Sequence, residues 1–255
     1  MLLTAALLAP AMSWAGSAAA PQRLAVLDWG LTEMILALGI TPAGVSAPDW
    51  YRKLIPQPAL PSTVQDLGLL FQPNLETLYA LKPDRIVITP QHTLLKPALE
   101  KIAPTLTLPT HGLTSFIEAT RQLGDVFGRE TQAQVLLNNL QSQIAHVRKV
   151  AQTVRQPVFC ATPVDALHLR LYVPGSLPGD VLAACGLRHA WQGSRGAEGT
   201  VLVELTSIAT VDARLILLVD DDKRDAVARW RQSALITAGR FADILYPFVA
   251  GWRDA

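Results

Sequence analysis

The chain has 255 residues, half of them hydrophobic, and its 22 Lys and Arg against 21 Asp and Glu leave a formal charge of +1. This composition excludes a disordered chain, and the near-zero balance offers no basic surface for a polyanionic nucleic acid. A core large enough for two modest lobes or one large domain is expected, with any charged site confined to a local cluster.

Met1 to Ala20 is a run of apolar and small residues containing Leu2, Leu3, Leu7 and Leu8. It reads as an export signal cleaved after Ala15, because Ser13-Trp14-Ala15 sets small residues at the two positions a signal peptidase reads, whereas a cut after Ala20 would meet Pro21. Its apolar part is too short for a confident membrane span, no later segment has ~18 uninterrupted apolar residues, and no Lys or Arg precedes Arg23. Arg23 to Leu27 then has the continuous apolar character of a buried strand, and Thr32 to Leu38 the spacing of a helix stopped by Gly39. Ile40 to Val45 reads as a second strand. The proline-rich stretch Pro48 to Pro61 reads as an ordered loop rather than a helix. Val64 to Gly68 follows, then Asn74 as a cap for a helix over Leu75 to Leu81, then a strand over Arg85 to Thr89. Strands alternating with helices argue for a parallel sheet covered on both faces.

Glu130 to Val154 contains neither Pro nor Gly, and Val135, Leu136, Leu140, Ile144 and Val147 recur at helical spacing. One helix of ~35 Å is expected, long enough to connect two lobes. Pro157 to Cys160 restarts the pattern, with a helix near Gly179 to Ala184 and a strand over Leu215 to Val219. Glu76 precedes Asp84 by the same interval that separates Glu204 from Asp212, and each Asp is followed by an apolar strand. In both halves the Glu would open a short helix, where a carboxylate suits the positive end of the dipole. Cys160 and Cys185 have no metal-binding spacing and read as two separate buried thiols, although outside the cytoplasm they could pair.

Several segments in order resemble the periplasmic substrate-binding proteins of siderophore and cobalamin importers, and among them the ferric-hydroxamate branch. They are Arg23 to Trp29, Glu33 to Pro42, Tyr51-Arg52, Asp66 to Gly68 with Pro73 to Glu76, Leu81 to Pro83, Ile102 to Pro104, Ala190 to Gly193 and Ala238 to Phe241. The resemblance implies an α/β fold of two Rossmann-like lobes joined by one long backbone helix. The expected organisation is a signal peptide over 1–15, an N-terminal lobe over 21–129, the connecting helix over 130–154 and a C-terminal lobe over 155–255. It further implies a ferric siderophore held between the lobes, a closing motion limited by the rigid helix, and one acidic residue per lobe docking on arginines of an inner-membrane ABC permease dimer. Glu76 matches the N-lobe docking position, and Glu204 is the C-lobe candidate. A periplasmic monomer without a catalytic role, resident cofactor or metal is implied. Relatives continue beyond the Ala238 to Phe241 motif through a terminal helix that this chain would lack.

Open α/β sheets bind ligands beyond the carboxyl ends of their strands. That rule selects loops around Asp28-Trp29, Asp49 to Arg52, Leu70-Phe71 and Pro90 to His92, and in the other lobe Ala161 to Tyr172, Ser194 to Glu198, Asp220 to Lys223 and Leu245 to Trp252. A ferric hydroxamate presents oxygens on an apolar shell and calls for aromatic walls with a few fixed donors. The candidate ligand-binding residues are therefore Trp50, Tyr51, Arg52, Phe71, His92, Arg170 and Tyr172, the last two facing the cleft if the 161–172 segment folds as a hairpin. Against the hydroxamate branch, the anchoring arginine falls at Leu70, the pocket aromatics fall at Leu54, Ile88 and His92, and the C-lobe tryptophan falls within Gly196 to Gly199. The chain has no G-x-G-x-x-G, Walker or G-x-S-x-G pattern, which weighs against nucleotide-binding enzymes and serine hydrolases. A heme, cobalamin or metal receptor of the same fold, and a truncated non-binding relative, are the alternatives.

Overall fold

The computed structural model describes residues 23–218. The expected signal segment, the loops at 220–223 and 245–252, the 238–241 motif and the expected loss of a terminal helix all lie outside the described residues.

Strand β1 (Leu24–Val26) is buried on both faces, as its unbroken apolar run requires. Helix α1 (Trp29–Ala37) opens three residues before the expected start because the Asp28 carboxylate caps it, Oδ1 accepting from the Leu31 amide at 2.9 Å. After β2 (Gly44–Val45) the chain departs from expectation, since Pro48–Leu54 is a helix, α2, and not part of a loop. Proline at the first helical position forfeits no hydrogen bond there and arrives with its φ already helical, so it starts this helix instead of breaking it. Strand β3 (Gln65–Asp66) follows. Helix α3 (Leu75–Leu81) is capped as expected, with Asn74 Oδ1 accepting from the Thr77 amide at 3.0 Å. Strand β4 (Arg85–Ile88), a 3-10 turn over Pro90–His92, the short α4 (Lys96–Leu99) and β5 (Thr105–Thr107) complete a five-stranded parallel sheet in the order β3-β2-β1-β4-β5. One face packs on Met34, Ile35, Tyr51 and Leu123, the other on Leu67, Leu78, Leu81 and Leu99.

Helix α5 (Leu113–Phe127), for which the sequence reading has no counterpart, runs to Gly128 and is followed by α6 (Glu130–Ala151). At 22 residues α6 spans about 33 Å. Its inward stripe is Ala133 and Leu137, with Leu140 and Ile144 half-buried, while the expected contributors Val135 and Val147 are exposed. A thin apolar stripe suits a helix that touches each lobe only at one end. Its amino-terminal half packs on the N-lobe through Ala133 and Leu136, and near its carboxyl end the Arg148 guanidinium donates to the Ala184 carbonyl, 2.9 Å from Nε.

The second lobe is a mixed sheet in the order β8-β7-β6-β9. Strands β6 (Val158–Pro163) and β7 (His168–Tyr172) form the conditional hairpin, closed by the Val164 amide on the His168 carbonyl at 2.9 Å. Helix α7 (Leu177–Ala184), β8 (Thr200–Glu204), the short α8 (Leu205–Ala209) and β9 (Arg214–Leu217) follow, with β9 parallel to β6. Phe159, Ala161, Leu169, Leu171, Val203 and Leu215 form its core. Cys160 and Cys185 are free, buried thiols. Burial pushes the Cys160 thiol up to about 12. It therefore stays a thiol and behaves as a small apolar side chain.

The internal repeat acquires a physical meaning for its aspartates. Asp84 Oδ2 accepts from the Arg23 amide at 2.7 Å, just ahead of paired strands β1 and β4. Asp212 Oδ1 accepts from Gln156 Nε2 at 3.0 Å, just ahead of paired strands β6 and β9. In each lobe the Asp ties together the starts of two parallel neighbours.

Candidate functional site

The carboxyl ends of β1, β2, β4 and β5 all lie at one end of the first sheet, because the strands are parallel. The second lobe meets that end. Leu113, which opens α5 after β5, donates its amide to Asp180 Oδ2 at 3.1 Å, and Asp180 Oδ1 accepts from the Gly175 amide at 2.8 Å. Gln91, in the turn after β4, donates from Nε2 to both oxygens of Glu198 at 3.0 and 2.9 Å. The loops facing the first lobe are thus the one after β7 and the one before β8. Between these two contacts lies the candidate cleft.

The predicted N-lobe residues divide by burial. Trp50 is 54% exposed at the start of α2, with Lys53 Nζ 5.0 Å from its ring centroid, and Phe71 is 59% exposed on the loop after β3. Leu69, on the same loop as Phe71, and Leu94, after the 3-10 turn, are exposed as well. Tyr51, by contrast, is wholly buried, edge-on to Trp29 with ring centroids 6.5 Å apart, and its hydroxyl donates to the Pro58 carbonyl at 3.1 Å. Burial raises its phenol well above the usual range. It presents no surface to a ligand, because the helix that replaces the expected loop turns it inward. Arg52 is likewise engaged, donating from Nε to Leu60 O at 3.2 Å and from Nη2 to Pro61 O at 2.8 Å, with Nη1 on Asp49 Oδ1 at 2.9 Å. It clamps the proline-rich segment onto α2.

His92 is buried and joins two cleft loops. Its Nε2 lies 2.8 Å from the Leu70 carbonyl, which can only accept, so Nε2 carries the proton and Nδ1 accepts from the Thr89 side chain at 3.0 Å. The ring of Phe71 stacks on it at 5.7 Å. His92 therefore sets the position of Phe71 instead of contacting a ligand itself. Leu70, where the hydroxamate branch has its arginine, contributes its backbone carbonyl to this arrangement.

In the second lobe Arg170 and Tyr172 share the face of β7 that lies opposite Leu169 and Leu171. Arg170 is exposed without an ion-pair partner among the described residues, and Tyr172 Oη lies 3.1 Å from Thr162 Oγ1. The hairpin forms, yet the described contacts join neither residue to the first lobe. The loops selected from sequence at Pro90 to His92 and Ser194 to Glu198 contain Gln91 and Glu198, but their contact, and Asp180, are singled out only by the structure. Their sequence signal is faint: Glu198 stands between Gly196 and Gly199, a pattern that any surface loop can share. Glu76 is exposed in the first turn of α3, and Glu204 is exposed at the junction of β8 and α8. Among the described residues no three His, Cys, Asp or Glu side chains gather as a metal site, and no helix is long and apolar enough to cross a membrane.

Residues 24–235 match the periplasmic binding protein family model. The chain is 29% identical over 255 residues to the iron(3+)-hydroxamate-binding protein FhuD of Escherichia coli, covering 94% of this chain and 86% of that protein. It is 34% identical over 227 residues to the achromobactin-binding periplasmic protein of Dickeya dadantii, covering 84% of this chain and 72% of the relative. Among solved structures, the Fe3+-Desferal-bound siderophore-binding protein FhuD of Vibrio cholerae superposes with a TM-score of 0.80 at 28% identity, over 89% of this chain and 90% of that one. The catecholate-siderophore-binding protein VctP of the same organism shares the fold, with a TM-score of 0.71 at 23% identity over 92% and 88% of the two chains.

Proposed function

The chain belongs to the periplasmic binding protein family, and on that premise we propose that it is the substrate-binding component of an ABC importer that captures a ferric siderophore between its lobes. The observation that carries the reading is the coincidence of the family match over both lobes with a cleft built from the carboxyl ends of parallel strands, walled by Trp50 and Phe71. Exposed aromatic rings at a cleft offer apolar contact to the organic shell of an iron chelate, and backbone and side-chain donors around it can meet the chelate oxygens. The iron is cargo, not a resident cofactor, and no reaction is assigned to the protein. It would act in the periplasm as a monomer, presenting Glu76 and Glu204 to arginines of a dimeric permease. Relatives that bind siderophores favour this over a heme or cobalamin receptor.

Tryptophan fluorescence of the purified protein, titrated with ferric hydroxamates, ferric catecholates, heme and cobalamin, tests the reading. Saturable quenching by an iron chelate is expected, weakened about tenfold by Phe71→Ala through loss of one stacking wall. A folded protein that binds none of the iron chelates refutes it.

A further inference from the structure

The contact between Gln91 and Glu198 is built from strained backbone. Glu198 has φ of 51°, a conformation unfavourable for a residue with a Cβ. It is held there by its neighbours: Gly196 at φ 60° and Gly199 at φ 69° make close approaches that no side chain permits, a Cβ on Gly199 falling 2.1 Å from the Ser176 amide nitrogen and one on Gly196 falling 2.0 Å from the Thr200 carbonyl oxygen. The turn is pinned at both ends, by Trp191 Nε1 on Ser194 O at 2.7 Å and by the Thr200 amide on Ala197 O at 3.0 Å. The result projects one carboxylate across the cleft onto a neutral amide.

Among the described residues no cation forms an ion pair with that carboxylate. Gln91 brings no charge, the Arg52 guanidinium is paired with Asp49, and the Asp180 carboxylate at the other inter-lobe contact is satisfied by two backbone amides. Asp28 and Glu33, at the carboxyl end of β1 and on the helix that follows it, are carboxyl groups again. Arg195 on the same turn, the exposed Arg170 on β7 and Lys53 beside Trp50 form no ion pair with Glu198 either.

We propose that Glu198 is a charge-selecting residue of the cleft: it favours ferric complexes that carry a free ammonium group, which replaces Gln91 as its partner, and disfavours anionic ones. An ammonium on the ligand makes a charge-assisted bond where the amide makes a neutral one, and an anionic complex meets repulsion at the same place. The inference rests on the siderophore reading above and narrows it to a charge class.

The test uses one ferric trihydroxamate scaffold with its terminal amine left free, acetylated or succinylated, so that only charge changes. Fluorescence titrations at about 20 mM ionic strength, where exposed charges act over a long range, should rank free amine over acetyl over succinyl. Each step is expected at roughly threefold in Kd and the full spread at about tenfold. Glu198→Gln should collapse the spread, and Gln91→Ala, which keeps the carboxylate, should retain it. Equal affinities for the three complexes in the native protein, or an undiminished spread in Glu198→Gln, overturn charge selection while leaving the siderophore reading intact. If none of the three binds and no other iron chelate does, both fail together.

Discussion

Glu33 lies on α1 one turn beyond the Asp28 cap, and its carboxyl is pushed up to about 7, first by burial and then by the charge of Asp28. In the unfolded chain such a group titrates near 4.5. Between those two values the folded protein binds more protons than the unfolded one, so stability declines as pH rises through that window and stays reduced above it. Burial raises Asp28 as well, which acts in the same direction. Glu33→Gln is expected to stabilise the protein at about pH 8, by at most roughly 3 kcal/mol, and to change little at about pH 4. Urea midpoints of both proteins at the two pH values check this, and identical midpoints at the higher pH would contradict it. Residue types at the cleft were readable from sequence, but their use was not. Tyr51, Arg52 and His92 have the chemistry of ligand contacts, yet each finds its partner within its own lobe, on Pro58, on Leu60 and Pro61, and on Leu70. Trp50 and Phe71 remain exposed because no neighbouring element among the described residues covers them.

Between elements, one close approach that depends on a missing side chain is at Gly124, where α5 meets α6. A Cβ there would fall 2.7 Å from the Ala133 Cβ, a distance that a packed interface cannot accommodate without moving a helix. Gly124→Ala is therefore expected to destabilise by about 1–3 kcal/mol despite the higher helix propensity of alanine. Chemical denaturation measures it, and a stability gain would show that the two helices separate freely. Two local boundaries were legible, the Asn74 cap that starts α3 and Gly39, at φ 76°, after the end of α1, whereas the Asp28 cap that opens α1 was missed. The proline-rich stretch was misread because Pro48 reads as a breaker in isolation but occupies the one helical turn that needs no amide. Helix α5 went unread for another reason: it opens after Gly112 with no side-chain cap, and its last turn carries Gly124, which lowers local propensity and is tolerated only because α6 packs there.

Across the whole molecule, two lobes are joined by α6 and held by the contacts of Leu113 with Asp180 and Gln91 with Glu198. Glu76 lies at the start of α3, where Asn74 bonds to the Leu67 carbonyl at the carboxyl end of the first sheet. Glu204 stands one strand length, ~17 Å, along β8 from the cleft loop. If these two carboxylates dock on the permease, Glu76→Arg leaves ferric-chelate affinity unchanged within about twofold while reducing uptake at least tenfold, because one arginine contact becomes a repulsion. Binding by fluorescence and transport of radiolabelled iron separate the two effects, and undiminished uptake would remove Glu76 from the docking surface. The alternation of apolar strands and helices, the proline-free stretch of α6 and the ordered family segments determined the fold class and the two-lobed plan, because periodicity and turn residues act locally and survive in a linear reading. Which polar side chains face the cleft was decided only in the tertiary structure. A buried tyrosine and an exposed tryptophan are adjacent letters in the chain, and one helical step of 100° separates a core residue from an exposed one.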